Sequence, residues 1–148
     1  MSKIINFYNT DKAYGCFSNF YVAPFELKGL KWRTSEHYFQ AMKFEGTKHF
    51  FELNKIEKPM DVARMGRDRA RPLRADWEAV KDDIMYEALV CKFESHEELM
   101  NILLSTGDAV IVEHTKNDSY WGDGGDGSGK NMLGKLLMKL RNEKMNSK

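Results

Sequence analysis

Only two cysteines occur in the 148 residues, Cys16 and Cys91, too few for a disulfide framework and without the spacing of a zinc site. Both read as small apolar side chains, and a reducing, cytoplasmic setting is the expectation. Long apolar runs are missing as well, which excludes a membrane-spanning helix, and the opening Met-Ser-Lys-Ile-Ile-Asn is expected to carry no signal peptide. Excess charge of either sign is also lacking: 23 Lys and Arg stand against 22 Asp and Glu, a net charge of +1. Nothing therefore draws the whole chain toward nucleic acid, and any phosphate affinity must come from a local cluster. HExxH, CxxC and Walker-type lysine motifs are absent, and His37, His49, His96 and His114 lack ligand spacing, so no metal is expected. No internal repeat, low-complexity tract or interdomain linker interrupts the chain.

What is present is one domain's worth of residues, 1–148, with the 42% hydrophobic and 30% charged composition of an ordinary globule. Residues 3–8 read as a short strand, and residues 25–32 as a hairpin turning at Lys28-Gly29. Thr34 or Ser35 can cap a helix over residues 36–44, with Tyr38, Phe39, Ala41 and Met42 toward the core and Gly46 at its end. Further helices are expected over 48–55, over 59–67 with Pro59 at the first helical position, and from an Asp76 cap through Phe93. Ser95-His96-Glu97-Glu98 has the form of a capping box, and the helix it opens should end at Gly107. A strand over 109–113 and a last helix from Met132 complete an α+β fold, mainly helical, with about six helices around a small β-sheet.

Residues 117–131, Asn-Asp-Ser-Tyr-Trp-Gly-Asp-Gly-Gly-Asp-Gly-Ser-Gly-Lys-Asn, hold five of the chain's 11 glycines beside three aspartates and a tryptophan. Such a run packs no core, and its use is to bring backbone N–H groups close to something. Since a helix follows at once, the segment reads as an anion or phosphate cradle, with a flexible surface loop as the plainer alternative.

Glu36 lies at a helix start, where unpaired N–H groups and the helix dipole hold a carboxylate ionised. That suits a stabiliser of positive charge or a base for water, though the same placement also serves simply to complement the dipole. His37 is either a proton carrier or a packed residue. Arg64, Arg67, Arg69, Arg71 and Arg74 form the strongest charge feature, able to grip phosphate bidentately or to form a solvated basic turn. Ser18 and Asn19, between Phe17 and Phe20, could hydrogen-bond a base or ribose while an aromatic stacks, or could mark a turn with core aromatics. Trp77 looks like a core anchor. Trp121, followed by Gly122 and Asp123 in the polar loop, has fewer structural reasons for its place.

Taken together, Gly15-Cys16-Phe17-Ser18-Asn19-Phe20, Thr34-Ser35-Glu36-His37-Tyr38-Phe39-Gln40-Ala41-Met42-Lys43-Phe44, Ala63-Arg64-Met65-Gly66-Arg67 and Asp118-Ser119-Tyr120-Trp121-Gly122-Asp123-Gly124-Gly125 resemble the NADAR family, in particular its YbiA-like bacterial branch. The likeness runs in order through nearly the whole chain and includes the Leu133-Gly134-Lys135-Leu136-Leu137-Met138 ending. It implies an N-glycosidase that hydrolyses phosphoribosylaminopyrimidine intermediates of riboflavin biosynthesis, reactive and potentially damaging compounds, to ribose 5-phosphate and an aminopyrimidine. Other branches remove ADP-ribose from guanine in DNA, so a nucleic-acid partner belongs only to that alternative, and a non-catalytic ADP-ribose or nucleotide-binding module is a third reading. The resemblance implies no metal or organic cofactor. It points to Glu36, Asp118 and Trp77 as catalytic positions, with Ser18, Asn19, Phe20, His37, Arg64, Arg67, Trp121, Gly122 and Asp123 toward the substrate. Breaking an N-glycosidic bond builds positive charge on the anomeric carbon, which calls for a nearby anion and an oriented water. Since the chain starts almost at its first strand, no role of an N-terminal extension carries over.

Overall fold

The computed structural model describes residues 3–147, so Met1, Ser2 and Lys148, the ends of the expected 1–148 domain, lie outside the described residues. The backbone groups into two units. A central unit is the continuous segment Val22–Ser95, and a terminal unit joins the chain up to Tyr21 with His96 onward.

In the central unit, the hairpin follows from local chemistry. The N-terminal strand Ile4–Phe7 is β1, and the hairpin strands are β2 (Phe25–Leu27) and β3 (Leu30–Trp32), paired antiparallel with Phe25 opposite Trp32. Lys28 and Gly29 both take positive φ, 57° and 76°, as a two-residue hairpin turn requires. Helix α1 (Ser35–Met42) starts where Thr34 Oγ1 accepts the His37 N–H, the expected cap, and all eight of its residues are buried. Around it pack α2 (Lys48–Asn54), α3 (Pro59–Arg67, with proline first as expected) and α4 (Trp77–Glu94). The aromatic centre is Trp32, which meets Tyr38 and Phe50 edge-on at centroid distances of 5.2 and 5.3 Å and donates its indole N–H to the Leu27 carbonyl. Asp76 precedes α4 as expected, but its carboxylate is spent on Arg74, at 2.6 and 3.1 Å, in place of the helix N–H groups.

In the terminal unit, β1 pairs in parallel with β4 (Val110–Glu113). Strand alternation turns Ile5, Phe7 and Ile111 inward and leaves Ile4 and Val110 exposed. Helix α6 (Met132–Asn146) lies on β4, and α5 (Glu97–Ser105) lies on α6. The approach of α6 to its strand depends on Gly134, where an added Cβ would stand 2.1 Å from the Ile111 carbonyl oxygen. Buried Arg141 ties α6 to the turn before β4, donating to the Ala109 carbonyl at 2.7 Å and to Thr106 Oγ1 at 3.0 Å. The capping box expected at Ser95 does not form: Ser95 is the C-cap of α4, helical at φ −82°, so α5 is entered through extended His96.

The α+β class and the six helices match the sequence expectation. Among the described residues the β content is split into two separate two-stranded ladders, one per unit, where a single small sheet was expected. No helix of the described residues is long and apolar enough to cross a membrane.

Candidate functional site

Three polar side chains repeat at helical spacing along α1: Glu36, Gln40 and Lys43, at positions i, i+4 and i+7. On a surface helix this stripe would face water. Here all three are buried, Glu36 7% and Lys43 8% exposed, because α1 is enclosed by its neighbours. Glu36 sits in the first turn, as the sequence indicated, where the helix dipole favours its anion. Gln40 Nε2 donates to Glu36 Oε2 at 2.7 Å.

Lys43 extends from the end of the helix and donates to the Gly66 carbonyl at 3.3 Å. Its Nζ stands 5.8 Å from the Trp77 ring centroid and 5.9 Å from that of Phe39, and those rings contact each other edge-on at 5.0 Å. Burial, followed by the nearby Arg69 guanidinium, pulls the ammonium down from 10.5 to about 8, with Glu36 acting in the opposite direction. A lysine so placed exchanges its proton near physiological pH. The fold thus gathers two residues the sequence singled out, Glu36 and Trp77, around one that sequence reading passed over. The available signal was a polar stripe on a helix whose other positions, Tyr38, Phe39, Ala41 and Met42, leave it no solvent side.

His37 has a different job. Fully buried, it directs Nε2 at the Ile56 carbonyl at 2.8 Å and Nδ1 at Thr34 Oγ1 at 2.7 Å. A carbonyl can only accept, which assigns the proton to Nε2 and makes Nδ1 the acceptor of the Thr34 hydroxyl. Burial lowers its pKa below 6.5, keeping the ring neutral. With both nitrogens engaged, His37 pins the α1 cap to the segment after α2.

The arginine run is divided by the fold. Arg74 is bound to Asp76, Glu45 and the Met42 carbonyl, and Arg69 donates to the Gly66 and Arg67 carbonyls. Arg71 lies 3.8 Å from Asp68 and 4.0 Å from Glu52. Arg64 and Arg67, in the last turn of α3, remain exposed; the Arg64 side chain is 72% accessible, with Asp61 at 3.7 Å. These two are the members placed to meet a ligand.

In the terminal unit, residues 117–131 are ordered by their own hydrogen bonds. Asp118 Oδ1 accepts the N–H groups of Tyr120 and Trp121 at 2.9 and 2.8 Å, an Asx turn that fixes the backbone ahead of Trp121. Trp121 is half-buried and meets Tyr120 edge-on. Buried Asp123 accepts from Thr115 N and Gly125 N and faces His114 Nδ1 at 2.7 Å; the His114 bond is the main cause of its lowered pKa. Its carboxylate therefore knits the loop together. Gly122 is buried too, with room for a Cβ denied by Thr115 and by the Asp118 and Glu113 carbonyls.

The cradle expected from the glycines takes another form. N–H groups of Gly124, Gly129, Lys130, Asn131, Met132 and Leu133 donate to the carbonyls of Asp118, Asp123, Ser119, Gly122, Tyr120 and Trp121. The loop thereby caps α6 itself, and these donors are not offered to a phosphate. Asn131, left-handed at φ 53°, adds its carboxamide to the β4 edge, bonding Glu113 N and the Ile111 carbonyl. Ser18 and Asn19 are buried just after the Gly15–Phe17 3-10 turn, where Ser18 Oγ accepts from Phe20 N, and Phe20 is half-buried. Among the described residues no group of three or more His, Cys, Asp or Glu side chains is placed to hold a metal.

Comparison with known proteins follows the same residues. The family model described as NADAR domain matches residues 6–144. The chain is 56% identical over 140 residues to N-glycosidase YbiA of Escherichia coli (strain K12), covering 95% of this chain and 88% of that protein. It is 40% identical over 157 residues to riboflavin biosynthesis protein PYRR, chloroplastic, of Zea mays, spanning 96% of this chain and 25% of the maize protein. The NMR structure of E. coli YbiA superposes with a TM-score of 0.91 at 54% identity, covering 99% of this chain and 88% of that one.

Proposed function

The chain belongs to the NADAR family, and on that premise we propose that it hydrolyses phosphoribosylaminopyrimidine intermediates of riboflavin biosynthesis, releasing ribose 5-phosphate and an aminopyrimidine. The coarser statement is firm: it is an N-glycosidase, a hydrolase of N-glycosyl bonds, related to proteins of riboflavin metabolism. The observation that carries the finer one is the buried Glu36 carboxylate, held by Gln40 beside a lysine of depressed pKa and the Trp77 ring.

As the C–N bond lengthens, positive charge grows on the ribose anomeric carbon and ring oxygen. Glu36, ionised in the first turn of α1, stabilises that charge and takes a proton from the attacking water. Lys43, near half-protonated at about pH 8, donates a proton to the departing amine, whose ring also delocalises charge. Trp77 stacks on the pyrimidine, and Arg64 and Arg67 bind the 5-phosphate. By their motif, Asp118 and Trp121 recognise the ribose or base, Asp118 through the oxygen that its Asx turn does not use. From their motif alone, Ser18, Asn19 and Phe20 are proposed as further substrate-recognition residues. We propose that residues 1–148 act as one N-glycosidase domain, since a single family model spans both units, and that it works in the cytoplasm, where its two cysteines would stay reduced.

The test is direct. Purified protein incubated with the two phosphoribosylaminopyrimidines should release ribose 5-phosphate, and Glu36→Gln should lower kcat by about a hundred-fold or more while the protein stays folded. No release under conditions where E. coli YbiA is active would remove the substrate assignment; near-normal turnover by Glu36→Gln would remove the role of that carboxylate.

A further inference from the structure

Gln40 performs no chemistry in the reaction above, yet its side chain is clamped from two helices. Its Nε2 donates to Glu36 Oε2 at 2.7 Å, and the residue is 3% exposed. Its Oε1 is buried with no hydrogen-bond partner among the described residues. The reversed amide would set an oxygen lone pair against the carboxylate, so the carboxylate itself fixes which end of the amide faces it. An unpaired buried acceptor is unfavourable, and it is tolerated here because the donor end is committed to Glu36.

The second clamp is Gly66 in α3. Glycine is a poor residue inside a helix, and alanine would ordinarily be better at this position. A Cβ at Gly66, however, would stand 2.0 Å from Gln40 Oε1, 2.7 Å from its Cδ and 2.9 Å from its Cβ. The missing side chain on α3 is the space that the carboxamide on α1 occupies.

We infer that Gln40 is a positioning residue for the hydrolysis: its N–H holds the Glu36 carboxylate in one orientation and in its ionised form, and Gly66 exists as glycine to seat it. The inference rests on Glu36 acting on the substrate, as proposed above. A donor to a carboxylate favours the anion, so loss of Gln40 makes Glu36 easier to protonate. Lys43, just beyond α1, is electrostatically coupled to Glu36, and acting on Lys43 in turn are Arg69 and Arg67 around the end of α3 and Glu78 on α4; the variants below leave all four in place. His37 on α1 is neutral and already bonded at both nitrogens.

The experiment is a kcat and KM profile between about pH 5 and 9 for wild type, Gln40→Met, Gly66→Ala and Glu36→Gln, with ribosylaminopyrimidine 5-phosphate as substrate and circular dichroism as the folding control. Gln40→Met keeps length and burial while removing the donor. It should lose about ten- to hundred-fold in kcat with KM within about two-fold, and the acid limb of its profile should move to higher pH. Gly66→Ala, retaining both Glu36 and Gln40, should show the same two changes. A folded Gln40→Met with wild-type kcat overturns the inference, and so does a kcat loss with an unmoved acid limb, which marks a role in packing alone. If Glu36→Gln itself turns over normally, the role proposed for that carboxylate falls and the inference falls with it; if Glu36→Gln is inactive while Gln40→Met is normal, only the inference falls.

Discussion

Replacing Lys43 with methionine should stabilise the folded chain at neutral pH while abolishing turnover. Methionine fills the same channel between Phe39 and Trp77 without a charge. In the wild type the ammonium is held at about 8 against an ordinary 10.5, mainly by burial, which corresponds to roughly 3 kcal/mol of penalty below pH 8 and to about half that once residual solvent contact is allowed for. Against this stand the contacts to two ring faces, together about 1 kcal/mol at this separation. The Gly66 carbonyl remains satisfied, because Arg69 Nη2 also donates to it at 2.5 Å. The expected net gain at pH 7 is therefore about 0.5 kcal/mol, or roughly 1–2 °C in Tm for a chain of this size. Its pH dependence is the sharper test. Between about 8 and 10.5 the unfolded chain keeps a proton on this amine that the folded chain has released, so wild-type stability rises with pH across that window. The methionine variant lacks that rise, and its advantage should shrink between pH 7 and pH 9.5 in urea unfolding followed by fluorescence. A variant less stable than wild type at pH 7, or one with the same gain above pH 8, would refute the account of Lys43 as a desolvated ammonium.

His37→Phe should cost about 1–3 kcal/mol by chemical denaturation, because it removes the acceptor of the buried Thr34 hydroxyl and one of the two donors to the Ile56 carbonyl, which Arg33 still reaches at 3.1 Å. His37 also sets an acid-side slope: its folded pKa lies below 6.5, so wild-type stability falls as pH drops below 6.5 and the unfolded imidazole takes up a proton, and the phenylalanine variant should lack that contribution. Gly134→Ala should lower stability by about 3 kcal/mol, against the roughly 1 kcal/mol gain expected from helix propensity alone, since the new methyl would meet the Ile111 carbonyl and the Asn131 carboxamide. A thermal melt at or above the wild-type midpoint would mean that α6 can move off β4 at little cost.

Much of the fold was legible because it is set by chemistry close in sequence. Thr34 caps α1 through an N–H three residues on, Pro59 opens α3, Lys28-Gly29 turns the hairpin, and Met132 begins the last helix where the glycines end. Where such cues failed, a neighbour outcompeted the local pattern. Ser95 is consumed as the end of α4 before it can begin α5, and Asp76 finds the Arg74 guanidinium a better partner than the helix N–H groups. The glycine run reads in sequence as an anion cradle, but its N–H groups satisfy carbonyls within the loop.

By itself, then, the sequence determined the family, the order of elements and the helix-start position of Glu36, since motifs, periodicity and caps are written in adjacent residues. Tertiary structure alone decided that His37 is a neutral pin, that Asp123 is a loop staple, that Arg71 and Arg74 are drawn to acids while Arg69 is bonded to backbone carbonyls, and that Lys43 is a buried amine beside Trp77. Each of those roles depends on partners from other segments: Ile56 for His37, Glu45 for Arg74, Gly66 and Trp77 for Lys43. A side chain's charge and hydrogen bonding follow from the solvent removed and the groups brought near by every element packed around it, and that sum exists only once the chain has folded.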